Sequence, residues 1–220
     1  MTDGFADLDA YLAATASARL TDFLELLRIP SISALPQHAA DVRAAAEWIA
    51  GRLDGAGMEH VEVAETGGHP LVYADWLHAE GAPTALIYAH YDVQPADPLE
   101  AWVKPPFDPR VEDGHVYARG AADDKSHVHM LISAAQAWLV VRKRLPVNLK
   151  VVFEGEEESG AENLDRWLAA NASRLAADLA VVSDTGFFEG NVPAITTGLR
   201  GMMYAQLDVV GSPVDLHSGG

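Results

Sequence analysis

Apolar positions along the chain fall into two alternating periods. Leu20, Phe23, Leu24 and Leu27 recur at helical spacing, and Pro30 stops that run. Val42, Ala46, Ile49 and Leu53 mark a second helix that ends near Gly55 and Gly57. Residues 60–64 alternate as a strand does, and 71–77 and 85–89 are apolar runs with β-branched or aromatic members. A proline-rich connection over 94–109 leads to a short hairpin about Asp113-Gly114. The spacing then predicts a long helix over 126–143 with Pro146 beyond it, a buried strand over 149–153, a helix over 161–172 and a buried strand over 179–183. Residues 199–210 begin a further strand, after which the chain stops on a polar turn.

Strands alternating with helices of this length predict an α/β fold: a mixed, mostly parallel sheet with helices on both faces. The late strand and the abrupt end suggest two parts. The first is residues 1–198, and the second, over 199–220, has only just begun.

Composition narrows the chemistry. Of 220 residues, 49% are hydrophobic and 21% charged, so a sizeable core is available. Lys and Arg number 15 against 32 Asp and Glu, a formal charge of -17, which argues against a nucleic-acid or anionic-membrane partner. With no cysteine, disulfides, thiolate zinc sites and cysteine nucleophiles are excluded, and any metal must be held by the nine histidines and the carboxylates. The start carries Asp3, Asp7 and Asp9 and does not read as a signal peptide, and no apolar run is long enough to span a bilayer. A cytoplasmic location is expected.

Polar residues sit just past the ends of the apolar strands, where sites form in open α/β sheets. The 85–89 strand delivers His90 and Asp92; the 149–153 strand delivers Glu154, Glu156, Glu157 and Glu158; the 179–183 strand delivers Asp184. Asp123 and Asp124 stand at the entrance to the long helix. Taken singly, these read as a hydrogen-bonded strand-end pair, a solvated acidic turn and a helix N-cap. Together they load one edge with carboxylates that repel one another, which divalent cations would relieve. Residues 90 and 92 project alike from an extended segment, suiting an imidazole ligand and a carboxylate that orients it.

The ordered runs His90-Tyr-Asp-Val-Gln-Pro95, Trp102, Pro105-Pro-Phe107, Asp113-Gly114, Tyr117-Ala-Arg-Gly-Ala-Ala-Asp-Asp-Lys125, Glu154-Gly-Glu-Glu-Glu-Ser-Gly160 and Ser183-Asp184 span most of the chain. In them the chain resembles the aminoacylase/carboxypeptidase/carnosinase family of two-metal zinc metallopeptidases, and within it the cytosolic dipeptidase and carnosinase branch. Gly198-Leu-Arg-Gly201 and Asp215-Leu-His-Ser-Gly219 resemble the start of the family's lid, so the resemblance makes 1–198 the N-terminal portion of a catalytic, metal-binding domain and 199–220 the truncated start of an α+β lid and dimerisation domain. The resemblance implies that His90 and Asp184 ligate one metal, Glu158 the other, and Asp123 both, across an Asp123–Asp124 cis peptide that turns Asp124 elsewhere. It implies further that Asp92 supports His90 and that Glu157 is the general base. His217 would reach a partner subunit's site and stabilise the oxyanion, in a homodimer. The ions would be zinc, with manganese or cobalt as alternatives.

The family often has glycine after Asp-Asp-Lys, whereas Ser126, His127 and His129 follow here, the histidines on the helix. The second metal's further histidine, which the resemblance places near the end of a longer chain, has no counterpart, so this chain alone is expected to be inactive. The implied reaction is amide hydrolysis of dipeptides or short peptides. Deacylation of N-acyl amino acids, carboxypeptidase action, or an inactive fragment or binding paralogue are the alternatives. A serine hydrolase, a dinucleotide-binding fold and a single-zinc protease lack their motifs: Gly-x-Ser-x-Gly, Gly-x-Gly-x-x-Gly and His-Glu-x-x-His are all absent.

Overall fold

The computed structural model describes residues 4–186, 192, 194–211, 214 and 217–219. They separate into two compact units, Met1–Thr185 and Gly186–Gly220. The division falls earlier in the chain than the 198/199 boundary read from the sequence.

The first unit opens with α1 (Ala6–Ala14) and α2 (Ala16–Leu27), followed by α3 (Ala39–Ala56), which ends at Gly57. Helix α1 escaped the sequence reading because only Leu8 of it is buried, so it carries no apolar stripe. Strands β1 (Glu59–Ala64), β2 (Leu71–Trp76) and β3 (Thr84–His90) come next. A two-residue turn with Asp113 at φ 50° and Gly114 at φ 78° joins β4 (Arg110–Glu112) to β5 (His115–Tyr117). Positive φ at both turn positions matches the twist of a tight hairpin and suits an Asp-Gly pair. Helix α4 (Lys125–Arg142), strand β6 (Asn148–Glu154), short helices α5 (Leu164–Ala170) and α6 (Ala172–Leu175), and strand β7 (Leu179–Val182) complete the unit. The helix expected over 161–172 starts later because Gly160 (φ 105°) and Ala161 (φ 50°) are left-handed and cannot join a right-handed helix.

The sheet order is β1-β2-β6-β3-β7. β2 is antiparallel to both β1 and β6, while β6, β3 and β7 are mutually parallel, so every strand but β2 points the same way. Both faces are covered over β2 and β6, whereas edge strand β7, expected as a buried strand over 179–183, is exposed at all four of its residues. Val72, Ala74 and Trp76 face a core built with Leu26, Val42, Ala46, Ile49, Leu53, Val128 and Ile132 of α2, α3 and α4. The alternate residues Leu71 and Tyr73 face Trp167 of α5 and Leu175 of α6. That two-sided burial explains why β2 reads as a continuous apolar run.

Two buried lysines tie helix ends to this frame. Lys150 of β6 donates to the carbonyls of Arg174 and Ala176 at 2.5 and 2.7 Å, and Lys125 donates to those of Leu26 and Ile29 at 3.1 and 2.6 Å. Each adds a donor to carbonyls at or just beyond a helix C-terminus, where intrahelical partners run out. No helix among the described residues is long and apolar enough to cross a membrane.

In the second unit, the strand expected over 199–210 is not formed. Leu199, Met202, Met203, Tyr204, Leu207, Val209 and Val210 are each at least 85% exposed. An apolar run becomes a strand only when a neighbour takes its backbone donors and acceptors, and among the described residues none pairs with this one.

Candidate metal centre

Parallel pairing puts the carboxyl ends of β6, β3 and β7 at one edge, with β3 in the middle. His90 is the last residue of β3 and pairs with Glu154, the last residue of β6. On the other side Ser183 N–H donates to the Tyr88 carbonyl at 2.9 Å, which delivers Asp184 beside His90. Residues 154–158 turn off β6, with a one-turn 3-10 helix at Glu157–Ser159. Four sequence-distant segments thereby meet around one imidazole.

That imidazole is 1% exposed. Its Nδ1 faces Asp92, 3.2 Å from the main-chain oxygen and 3.4 Å from Oδ1. Its Nε2 points the other way, to Asp123 Oδ1 at 3.0 Å and Asp184 Oδ1 at 3.8 Å. The Asp123 side chain is 67% exposed and that of Asp184 33%, so the buried ring looks out towards solvent through a gate of carboxylates.

Asp92 is fully buried and binds three segments together. Its Oδ2 accepts from the Ser33 hydroxyl at 2.5 Å and from Glu158 N–H at 3.0 Å, and its Oδ1 accepts from Glu157 N–H at 3.2 Å. The Glu158 carboxylate takes the Gln94 amide at 2.6 Å. Glu156 turns away from its neighbours, accepting from His69 N–H and from the Asn163 amide. A glycine at 155 is required, because Tyr91 packs directly against its α-carbon.

The Asp123-Asp124 peptide is cis. Asp124 is fully buried: its Oδ2 accepts His90 N–H at 3.0 Å, and its Oδ1 lies against His127 Nδ1. Its carboxylate does not cap α4, although it stands at the cap position. Donor atoms of His90, Asp124 and Asp184 lie within 4.8 Å of one another. His127 lies in the first turn of α4, with Nε2 3.1 Å from the Thr185 carbonyl, while His129 stacks on Phe23. His217 belongs to the second unit, where it is exposed and its Nδ1 accepts Gly219 N–H at 3.1 Å; Asp215 and Leu216 of that run lie outside the described residues.

Charge in the cluster is out of balance. Burial presses the His90 imidazole towards its neutral form, yet Asp92, Asp124 and Asp184 outweigh it and hold the pKa up at about 10. Burial pushes Asp124 up to about 7, against the His90 N–H bond and the His127 and His90 rings, which pull it down. Glu157 and Glu158 are raised as well, by burial first and by the acids around them. So many carboxylates around one buried imidazole favour a cation. The donor set of one imidazole nitrogen and hard carboxylate oxygens suits a divalent ion, and Nδ1 faces Asp92, meeting its main-chain oxygen at 3.2 Å with Oδ1 at 3.4 Å.

Sequence comparison agrees with that reading. The signature of peptidase family M20/M25/M40 matches residues 86–212. The chain belongs to this family. It is 34% identical over 213 residues to a Cys-Gly metallodipeptidase, dug1, of Schizosaccharomyces pombe, covering 91% of this chain and 44% of that protein. A cysteinylglycine-S-conjugate dipeptidase of Corynebacterium striatum is 35% identical over 207 residues, 89% of this chain and 43% of that one. Among solved structures, human carnosine dipeptidase 1 superposes with a TM-score of 0.76 at 27% identity, covering 82% of this chain and 41% of that one. The chain therefore spans less than half the length of these relatives.

Three contributors escaped the sequence reading as site residues. Gln94 lay within a quoted run without a role. His69 and Ser33 carried no local signal, since their contacts join residues 87 and 59 positions apart.

Proposed function

We propose that this chain carries the metal centre of a hydrolase that cleaves the amide bond of dipeptides or short peptides. The observation that carries the reading is the aim of His90 Nε2 at Asp123 and Asp184, next to the turn bearing Glu157 and Glu158. His90, Asp123 and Asp184 would hold one divalent ion, and Asp123 with Glu158 the other. Asp123 is preferred to Asp124 because both Asp124 oxygens are engaged by His90 N–H and His127, whereas Asp123 is open to solvent. Zinc suits one imidazole with carboxylates, and manganese or cobalt would also be accepted. When bound, such ions supply Lewis acidity to the scissile carbonyl and acidify water.

The protein's own groups do the rest. Asp92 fixes the ring so that Nε2 stays directed outward, and its grip on the Glu157 and Glu158 N–H groups sets where those side chains emerge. Glu157 takes the proton from the attacking water and returns it to the departing amine. Its raised pKa brings it nearer the working pH, which favours a general base that must also act as an acid. His217, on the lid and dimerisation segment over 199–220, would steady the oxyanion in a partner subunit's site.

Names of relatives suggest the first substrates to try, Cys-Gly and β-Ala-His. Elemental analysis after dialysis should find a divalent ion in this chain, and much less in His90→Ala and Asp123→Ala. In the full-length protein, hydrolysis of one of these dipeptides should vanish with chelator and return with zinc. Equal metal content in wild type and variants, or hydrolysis indifferent to chelator, overturns the proposal.

A further inference from the structure

The segment between α2 and α3 never enters the metal cluster, yet it is laced to it. Ser31 N–H bonds the Ile29 carbonyl, the Ser31 hydroxyl donates to the Tyr91 carbonyl at 2.7 Å, and Val93 N–H donates back to the Ser31 carbonyl at 2.9 Å. Two residues on, the Ser33 hydroxyl donates to Asp92 Oδ2 at 2.5 Å, and the Ser33 carbonyl meets His69 Nε2 at 3.0 Å. Ser31 and Ser33 are both buried, 0% and 7% exposed. The lacing therefore clamps the three residues that follow β3, and one strand of it ends on the carboxylate that faces His90.

From these contacts we infer that Ser33 is a positioning residue for the metal-binding histidine, acting through Asp92. Asp92 has two oxygens and four claims upon them: the Ser33 hydroxyl, two backbone N–H groups of the acidic turn, and the His90 ring. The buried ring meets Asp92 through Nδ1, at the main-chain oxygen and Oδ1, so its orientation depends on that residue being fixed by the others. The backbone donors hang on the turn at 157–158, which must itself be placed. Ser33 is the one side-chain donor, anchored by a different part of the fold. A hydroxyl bonded to an ionised carboxylate is a short, strong contact, and it keeps Oδ1 presented to Nδ1. Without it, Asp92 would turn towards the acidic turn, and the ring would lose the partner that fixes its tautomer and direction.

This inference rests on the metal reading proposed above, and the experiment separates the two. Zinc affinity of the intact chain is measured by competition with a chelating dye, alongside the visible spectrum of the cobalt-loaded protein and a thermal melt. Ser33→Ala is expected to weaken zinc about 10-fold, the lower end of what loss of an outer partner costs a metal site, and to alter the cobalt spectrum. Ser33→Thr, which keeps the hydroxyl, should restore most of the affinity. Ser31→Ala is the control for stability alone: it removes an equally buried hydroxyl from the same segment, but one that bonds a backbone carbonyl. It should lower the melting temperature and leave zinc affinity within about twofold. Asp92→Asn approaches the same contact from its other end, and adding Ser33→Ala to it should cost little more. If wild type binds no zinc, the metal reading itself fails. If wild type binds zinc and Ser33→Ala matches it, or loses no more than Ser31→Ala, the role of Ser33 is overturned. Full additivity with Asp92→Asn would likewise overturn it.

Discussion

Tyr91 occupies the space that a side chain at residue 155 would need: a Cβ there would lie 2.7 Å from the Tyr91 Cζ. The ring is fully buried, and its hydroxyl is held by the Pro70 carbonyl, so it cannot swing aside. Gly155→Ala is expected to cost about 1–3 kcal/mol, the usual penalty for overpacking a rigid site. Because Glu156, Glu157 and Glu158 follow directly, metal affinity should fall with it. Urea unfolding of Gly155→Ala with and without Tyr91→Phe checks this, and the second change should recover part of the loss by removing the hydroxyl. A neutral Gly155→Ala would refute the packing argument.

Lys125 is fully buried, and burial lowers its pKa to about 7. Lys125→Met keeps the stem but takes the amine from the Leu26 and Ile29 carbonyls, leaving them the Ile29 and Ser31 N–H groups alone. Loss of such buried hydrogen bonds costs about 1–3 kcal/mol. A lower urea midpoint with an unchanged slope is the expected result. Undiminished stability would mean that water replaces the amine at no cost.

Stability of the metal-free protein should fall as pH rises from about 5 to 7. Burial pushes Asp124 and Glu154 up to about 7, so between their ordinary range and that value the folded state holds protons the unfolded chain has released. Folding then takes up protons, and raising the pH opposes it. His90, raised to about 10, continues the trend above neutrality, where the lowered Lys125 opposes it; below pH 7 only the lowering of His129 by burial runs against the two acids, whose shifts are the large ones. In chelator, the melting temperature should be lower at pH 7 than at pH 5.5, and zinc should raise it more at pH 7. A melting temperature that climbs over this range contradicts the assignment.

Glu157→Gln keeps the size of the side chain and its main-chain anchor on Asp92 but cannot take a proton. In the full-length protein, dipeptide turnover at saturating zinc should drop by about 100-fold or more, the contribution of a general base. Zinc content should stay close to wild type. Retained turnover would move the proton transfer to another group.

Local pattern made most of the frame legible. Val42, Ala46, Ile49 and Leu53 announce α3 because a helix buries one stripe, and the runs that became β2 and β6 stand out because a sheet covered on both faces is apolar at nearly every position, whereas the run that became β7 is apolar although all its residues are exposed. The acidic ends of those runs could be seen as one site because parallel strands deliver their ends to one edge. Helix α1 was invisible for want of a stripe, and residues 199–210 looked like a strand because strand propensity needs no partner while a strand does.

The sequence by itself determined the types of element and the edge where the acidic residues gather, since each of these follows from side chains close together in the chain. Only the tertiary structure decided which nitrogen of His90 faces out, which of Asp123 and Asp124 is engaged by protein donors, and that Ser33 and His69 support the site. Those outcomes are settled by hydrogen bonds between residues tens of positions apart, such as Ser33 with Asp92 and His90 with Asp124. Such bonds depend on distance and direction in space, and no local period in a sequence encodes either.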